Sequence, residues 1–192
     1  MEEIIRRVAK ESQRIQEGFI RKNTSPLIDC AEYISKAFKN DRKLMLCGNG
    51  GSAADAQHIA AEFVNRFLLD RHPLPAMALT TDTSIITSVA NDYSYEEVFS
   101  KQIQALGVEG DILLAISTSG NSKNILSAIR TAKEKGLYTV GLIGGDGGKM
   151  LTLVDLPMVV ESNQTPRVQE THILAGHLIC ELVEYILFQK NS

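Results

Sequence analysis

His58 and Glu62 are two side chains whose types and spacing could hold a metal ion. They lie four residues apart in a helical pattern that follows Ser52, so both project from one helix face about one turn apart. An imidazole and a carboxylate at this spacing are suitable ligands for Zn²⁺. The same pair is also common on solvated helix faces, so the spacing alone leaves a metal site and a surface pair as alternatives.

A second helical segment near the C-terminus supplies further possible ligands. Gln169 and His177 are eight residues apart and therefore lie on roughly the same side of that segment. Glu170 and His172 lie between them and are competing candidates. Two imidazoles, a carboxylate and an amide oxygen suit Zn²⁺, and the same donors would accept Mn²⁺, Fe²⁺ or Ni²⁺.

A strand predicted at Asp111–Ser117 runs directly into a turn at residues 118–122, and a helical pattern begins at about Lys123. Such a junction aims free backbone N–H groups and the positive end of the helix dipole at one point. Four hydroxyl side chains at this turn can donate further hydrogen bonds to phosphate oxygens. Helix capping is the alternative explanation, but a cap needs only one hydroxyl. The junction therefore predicts a site for a phosphomonoester.

The residues from Cys47 to Ser52 form a second junction of this kind, with glycines that let a ligand approach the backbone closely. Ordinary tight turns use glycine in the same way, so this motif gains weight only beside the first junction. No Gly-x-Gly-x-x-Gly or Walker sequence is present, because Gly147-Gly148-Lys149 is followed by Met150 where a hydroxyl is needed. We therefore expect a sugar phosphate as the ligand and not a nucleotide.

An α/β fold with a parallel sheet must position these side chains, because short β-branched runs alternate with longer helical patterns. Before the first strand we predict two helices, an amphipathic one from Ile4 to Phe19 and a second that begins at Ser25-Pro26. A final helix from about Arg167 to Leu187 has so broad an apolar face that we expect it to be buried in the fold or against another subunit. The predicted strands are Lys43–Cys47, Ala76–Leu79, Asp111–Ser117, Tyr138–Ile143 and Leu156–Val160.

Length and composition favour a single domain, residues 1–192, with a helical extension at about residues 1–40. The net charge of −3 and the lack of a basic block argue against nucleic-acid binding. Cys30, Cys47 and Cys180 are far apart and form no C-x-x-C pair, which fits a reducing cytosol without disulfides or a thiolate zinc site. We find neither a signal-peptide core nor a membrane span in the sequence, and we expect a cytoplasmic protein.

Five motifs span nearly the whole chain, namely Cys47–His58, Ala90–Asp92, Ile116–Ser122, Asp146–Met150 and Arg167–His172. In this order and at nearly this spacing they resemble the phosphoheptose isomerases of the sugar-isomerase (SIS) domain superfamily. The resemblance implies a doubly wound parallel five-stranded sheet flanked by helices. It also implies a homotetramer that has active sites between subunits and the N-terminal helices in its core.

The activity that this resemblance implies is an aldose–ketose isomerisation of D-sedoheptulose 7-phosphate to D-glycero-D-manno-heptose 7-phosphate, the first step of nucleotide-activated heptose biosynthesis. Glu62 and His177 would move protons through an enediol or enediolate, and the division of acid and base roles between them stays open. Whether the product serves lipopolysaccharide, capsule or another glycan also stays open.

The residues of the site follow from the same resemblance, position by position. One zinc ion per subunit would be held by His58, Glu62, Gln169 and His177. The phosphate would contact Ser117, Thr118, Ser119 and Ser122. The sugar chain would contact Asn49, Gly50, Gly51, Asn91 and Asp92, and Glu62 and Gln169 would also meet the substrate.

Two alternatives to this activity remain. SIS-domain relatives include a non-enzymatic regulator that binds the replication initiator, but such regulators lose the residues that correspond to Glu62, Ser119 and His177, which this chain keeps. Isomerisation of a related sugar phosphate would use the same carbonyl chemistry. The chain departs from the commonest family pattern at Val168, an apolar exchange, and at Pro166, where some members carry a polar residue.

Overall fold

The computed structural model describes residues 1–190 and shows one parallel sheet covered by helices on both faces. The strands are β1 (Leu44–Cys47), β2 (Ala76–Ala78), β3 (Ile112–Ser117), β4 (Tyr138–Gly144) and β5 (Leu156–Val160). The helices are α1 (Glu2–Lys39), α2 (Gly51–Val64), α3 (Thr83–Asp92), α4 (Ser100–Leu106), α5 (Lys123–Glu134) and α6 (Thr165–Glu184). Short 3₁₀ turns lie at Tyr95–Glu97 and Gly148–Met150, and a π-helical turn at Tyr185–Gln189 extends α6.

The sheet has the strand order β2-β1-β3-β4-β5, and every pair of neighbouring strands is parallel. This confirms the predicted doubly wound fold, and each of the five predicted strands is correct to within one residue at either end. In this order the chain winds in opposite directions from β1 and β3, so a crevice opens between the carboxyl ends of these two strands. Both junctions predicted to bind the ligand follow β1 and β3, and they therefore meet at that crevice.

Two apolar cores fill the space between the sheet and its helices, because alternate strand residues face opposite sides. Leu44 and Leu46 face the core formed with α1, α2 and α6, whereas Met45 and Cys47 face the core formed with α4 and α5. All six residues of β3 are buried, as expected for a central strand with helices on both faces.

The prediction of two N-terminal helices is wrong, because α1 is a single helix of 38 residues with Pro26 inside it. Proline lacks an N–H donor and usually breaks or kinks a helix at this point. Here Phe19 and Leu27, on either side of Pro26, belong to one continuous buried stripe in the core shared with α6. Asn23 also donates a hydrogen bond to the carbonyl of Phe19 in the preceding turn. Tertiary packing thus outweighs the local break, and Ser25 lies within the helix and is not its N-cap.

The C-terminal helix α6 is the central helix of one core. Together with the π-helical turn, the segment Thr165–Gln189 is long and apolar enough to cross a membrane by length and composition alone. In the fold, α6 packs against α1 and α2, and Ile179 and Val183 are fully buried. Burial inside the fold therefore accounts for part of the apolar composition of this helix, since 44% of its most apolar stretch is buried.

His172 lies on α6 inside the core, fully buried, and neither ring nitrogen makes a hydrogen bond with a described residue. Burial lowers the pKa of His172 from 6.5 to about 4, and the polar backbone of Ile143 opposes this shift only in part. The imidazole is therefore neutral at physiological pH.

Replacing His172 with leucine is expected to flatten the dependence of stability on pH. Below pH 6.5 the unfolded chain takes up a proton at His172 that the native core does not accept until about pH 4. The native protein therefore loses stability as the pH falls through this window, by up to about 3 kcal/mol for this group. Urea unfolding at pH 7 and at about pH 4.5, at one protein concentration, measures the loss. Equal losses in the wild-type and variant chains would contradict the prediction.

Candidate functional site

Three of the four predicted metal ligands meet where α2 and α6 lie side by side. His58 Nε2 is 3.2 Å from His177 Nε2 and 3.1 Å from Glu62 Oε1, and the three donor atoms all lie within 4.8 Å of one another. Around a tetrahedral zinc ion with bonds of about 2.0–2.1 Å, neighbouring donors are about 3.3 Å apart. Two of the three donor separations are already close to this value, so the site fits the zinc ion that the sequence motifs imply.

Helices α2 and α6 run in the same direction and approach each other closely at glycine residues. A Cβ on Gly176 would lie 2.5 Å from Cδ1 of Ile59, and a Cβ on Gly51 would overlap the side-chain amide of Gln169. Position 51 therefore lies beside position 169, and position 59 beside position 176. This register places His58 next to His177, because these residues are the neighbours of Ile59 and Gly176 along their helices.

The other candidate ligands on α6 lie elsewhere. Gln169 packs against Gly51 at the first turn of α2, about two helical turns before His58. Glu170 accepts hydrogen bonds from Ser12 (2.7 Å) and Arg167 (2.6 Å), which tie it to α1. His172 is inside the core. Among the described residues, His58, Glu62 and His177 form the one cluster of His, Cys, Asp and Glu side chains with metal-binding geometry.

The junction between β3 and α5 presents hydroxyl groups that do not cap the helix. Ser122 occupies the N-cap position of α5, but its side chain makes no capping hydrogen bond. Its Oγ lies 3.3 Å from Oγ of the buried Ser117, and Ser117 Oγ also accepts a hydrogen bond from the N–H of Gly120. Ser119 Oγ accepts one from the N–H of Asn121. Ser119 and one hydroxyl of the Ser117–Ser122 pair can still donate a proton to an anion.

The loop at residues 147–150 contacts this turn and supports it. Gly120 has a φ of +64°, and a Cβ there would overlap the carbonyl of Gly147. The side chain of Asn121 accepts a hydrogen bond from the N–H of Lys149, and the carbonyl of Gly120 accepts one from Met150. The Gly147-Gly148-Lys149 motif, which does not match a nucleotide-binding sequence, thus shapes the turn after β3.

The junction between β1 and α2 is connected to the first turn of α5. The side-chain amides of Asn49 and Asn124 form a reciprocal pair of hydrogen bonds, 2.9 and 2.8 Å long. Tyr95 also donates from its hydroxyl to Asn49 Oδ1 at 3.1 Å. Gly50, which precedes α2, has a φ of +53°. The two junctions are therefore held together as one surface at the crevice.

Comparison with known proteins agrees with this fold. The family model for the SIS domain matches residues 9–144. The chain belongs to the SIS domain family. It is 50% identical over 188 residues to a phosphoheptose isomerase from Nitratidesulfovibrio vulgaris, covering 98% of this chain and 90% of that relative. It is 58% identical over 156 residues to one from Aneurinibacillus thermoaerophilus, covering 81% and 79% of the two chains.

The solved structure of a phosphoheptose isomerase from Neisseria gonorrhoeae is similar to this SIS domain protein, with a TM-score of 0.91 and 41% identity over 95% of this chain and 98% of that one. Likeness of this degree over nearly the whole chain places the protein with the phosphoheptose isomerases of its family. The chain is therefore an enzyme of the sugar-phosphate isomerase class.

Within this SIS domain chain, Asn91 and Asp92 lie apart from the metal cluster. They are exposed at the C-terminal end of α3, a helix without buried residues, and Asn91 donates a hydrogen bond to Asp92. No hydrogen bond between described residues joins either one to the turn after β3. The nearest connection is Tyr95, three residues further on, which contacts Asn49.

Four residues of the site are absent from the sequence-based prediction: Asn124, Tyr95, Gly176 and Asp55. Asn124 is a buried polar residue on an otherwise apolar face of α5, which is a detectable signal. Asp55 precedes His58 by one turn and has a buried carboxylate oxygen without a hydrogen-bond partner among the described residues. Burial raises the pKa of Asp55, and the charge of His58 opposes this rise.

Replacing Asn124 with alanine is expected to destabilise the protein by about 1–3 kcal/mol, because the amide of Asn49 then loses its buried partner. Replacing Tyr95 with phenylalanine removes the other hydrogen bond to Asn49, but at an exposed side chain, and should cost less. Urea unfolding of both variants tests this. If Tyr95→Phe lowers the free energy of unfolding as much as Asn124→Ala does, the buried amide of Asn124 is not the more important partner of Asn49.

Proposed function

We propose that the chain converts D-sedoheptulose 7-phosphate to D-glycero-D-manno-heptose 7-phosphate with the help of one zinc ion per subunit. The observation that carries this proposal is the cluster of His58, Glu62 and His177, whose donor atoms lie within 4.8 Å of one another. The names of its relatives support the substrate, since the proteins that are about half identical to it are phosphoheptose isomerases. The hydroxyl groups after β3 that do not cap α5 support a phosphorylated ligand.

Binding begins at the phosphate. Its oxygens would accept hydrogen bonds from the free N–H groups at the start of α5 and from the hydroxyls of the preceding turn, in the field of the helix dipole. The residues assigned to the phosphate are Ser117, Thr118, Ser119 and Ser122. Those assigned to the sugar chain are Asn49, Gly50, Gly51, Asn91 and Asp92, with Gln169 beside Gly51.

The reaction moves a proton between C1 and C2 while the carbonyl changes place. In this proposal Glu62 removes a proton from C1 and returns one to C2, and His177 gives a proton to the C2 oxygen and accepts one from the C1 oxygen. The intermediate is an enediol or enediolate of the sugar. His58, Glu62 and His177 are the residues that would hold zinc within one chain, whereas Gln169 lies about two helical turns away and would reach such an ion only in a neighbouring subunit of the proposed tetramer. Bound zinc would supply a Lewis acid that polarises the substrate carbonyl.

Replacing Glu62 with glutamine is expected to abolish nearly all turnover, by about 10²-fold or more, because glutamine keeps the shape of the side chain but cannot accept the carbon proton. Turnover is measured by NMR from the anomeric proton of the aldose product, with sedoheptulose 7-phosphate as the substrate and zinc present. Glu134→Gln, at an exposed position in the last turn of α5, is the matched control and should be as active as the wild type.

Near-normal turnover in Glu62→Gln would remove Glu62 from the chemistry. No turnover in the zinc-replete wild-type chain would favour the alternative function, a non-enzymatic SIS-domain regulator that binds the replication initiator, or a different sugar phosphate as substrate.

The assembly we propose is a homotetramer with α1 in its core and active sites between subunits. Apolar side chains of α1 and α6 line an open groove, and among them Ile28 and Tyr185 are 43% and 50% exposed. Packing of a second copy on this surface would remove apolar area from water. Sedimentation velocity should give the mass of four 21.1 kDa chains. A single 21.1 kDa species at micromolar concentration would overturn the proposal.

We place the enzyme in the cytoplasm. Cys30, Cys47 and Cys180 are free and buried, and burial raises the pKa of the Cys30 and Cys47 thiols to about 12. Buried protonated thiols are unreactive and need no oxidising compartment.

A further inference from the structure

A buried ion pair lies next to the metal cluster, between α6 and the segment that follows α2. Glu184, in the last turn of α6, forms a 2.9 Å ion pair with Arg71, and each side chain is 2% exposed. The carboxylate also accepts hydrogen bonds of 3.0 Å from three consecutive backbone N–H groups, those of Phe67, Leu68 and Leu69. The side chain of Glu184 therefore holds residues 67–71 of this segment in place.

Arg71 continues this network to the end of α2. Its guanidinium donates to the carbonyl of Glu62 at 2.9 Å and to the carbonyl of Phe63 at 2.9 Å. These carbonyls lie in the last turn of α2, where helix carbonyls lack an intrahelical partner. The backbone of Glu62, the proposed base, is thus held by a hydrogen bond from the ion pair.

The same segment also contacts His177. The ring of Phe67 stacks on the imidazole of His177, with a centroid distance of 5.4 Å and an interplanar angle of 20°. Glu184 lies seven residues after His177, two turns further along the same face of α6. Both proposed catalytic residues are therefore linked to the network of Glu184 and Arg71, Glu62 directly through its backbone carbonyl and His177 indirectly through the ring of Phe67.

Stability alone does not account for this arrangement. Replacing a buried ion pair with apolar side chains of similar size is often neutral or stabilising, so such pairs are better explained by the conformation that they specify. Here the carboxylate accepts four hydrogen bonds and the guanidinium donates four, one of them to the backbone carbonyl of Glu62.

We propose that Glu184 and Arg71 are positioning residues that hold Glu62 and His177 at the separation required for metal binding and proton transfer. The proposal rests on the proposed function, since it concerns the same site. Outer residues that orient metal ligands typically contribute about 10- to 100-fold to metal affinity.

The test compares Glu184→Gln, Arg71→Lys and the uncharged double variant Arg71→Leu/Glu184→Gln with the wild-type chain. The double variant avoids an unpaired buried charge, so it keeps the test valid if a single variant fails to fold. The probe is Zn²⁺ alone, titrated in competition with a chromophoric chelator, followed by kcat and KM for the sugar phosphate. Hydrogen–deuterium exchange of residues 58–69 supplies a readout that requires neither metal nor turnover.

Asp111→Asn is the matched control. Asp111 is likewise a fully buried carboxylate, paired with Lys43 at 2.6 Å and bonded to backbone N–H groups, but none of its hydrogen bonds to described residues reaches α2, α6 or the segment between α2 and β2. It should lose stability without any change in zinc affinity.

We expect the Glu184 and double variants to bind zinc about 10-fold or more weakly, to lose kcat at nearly constant KM, and to exchange faster in the last turn of α2. The zinc affinity and kcat of Arg71→Lys should lie between those of these variants and those of the wild type, because lysine keeps the charge but cannot reach both carbonyls and the carboxylate. Zinc affinity and α2 exchange equal to those of Asp111→Asn would overturn the proposal. A wild-type chain that binds no zinc would refute the proposed function instead, and the exchange data would then decide the positioning role.

Discussion

The close approach of α6 to α2 is the constraint on which the site depends. Each helix supplies part of the donor set, His58 and Glu62 from α2 and His177 from α6, so a donor cluster forms only if the two helix axes come near each other. Gly176 permits this contact because a Cβ there would overlap the side chain of Ile59, and Gly51 leaves room for the side-chain amide of Gln169. Residues without chemistry of their own therefore set the separation of the residues that carry it.

The doubly wound sheet supplies the second half of the site. Because the chain winds in opposite directions from β1 and β3, the first turns of α2 and α5 begin side by side on opposite faces of the sheet. The amide pair of Asn49 and Asn124 joins these turns across the crevice. A ligand at the crevice can thus meet the first turns of both helices, whereas His58 lies about two helical turns further along α2.

Much of this architecture could be predicted from the sequence, because the signals were local. The strands are short apolar runs bounded by polar residues and turns, and the spacing of His58 and Glu62 follows from helix geometry alone. The continuous helix through Pro26 could not be predicted, since the packing that overrides the proline is tertiary. The contact of Gly176 with Ile59 and the position of Gln169 against Gly51 depend on the register of two helices far apart in sequence, which no local pattern determines.

A metal ion held between α2 and α6 is proposed to make this chain an isomerase of a seven-carbon sugar phosphate. The most direct test incubates purified protein with sedoheptulose 7-phosphate and follows the aldose anomeric proton by NMR. The protein is used as isolated, after removal of metal by a chelator, and after addition of zinc. Turnover that is lost on chelation and regained with zinc is the predicted result, whereas turnover that survives complete removal of metal, or none with zinc bound, would contradict the claim.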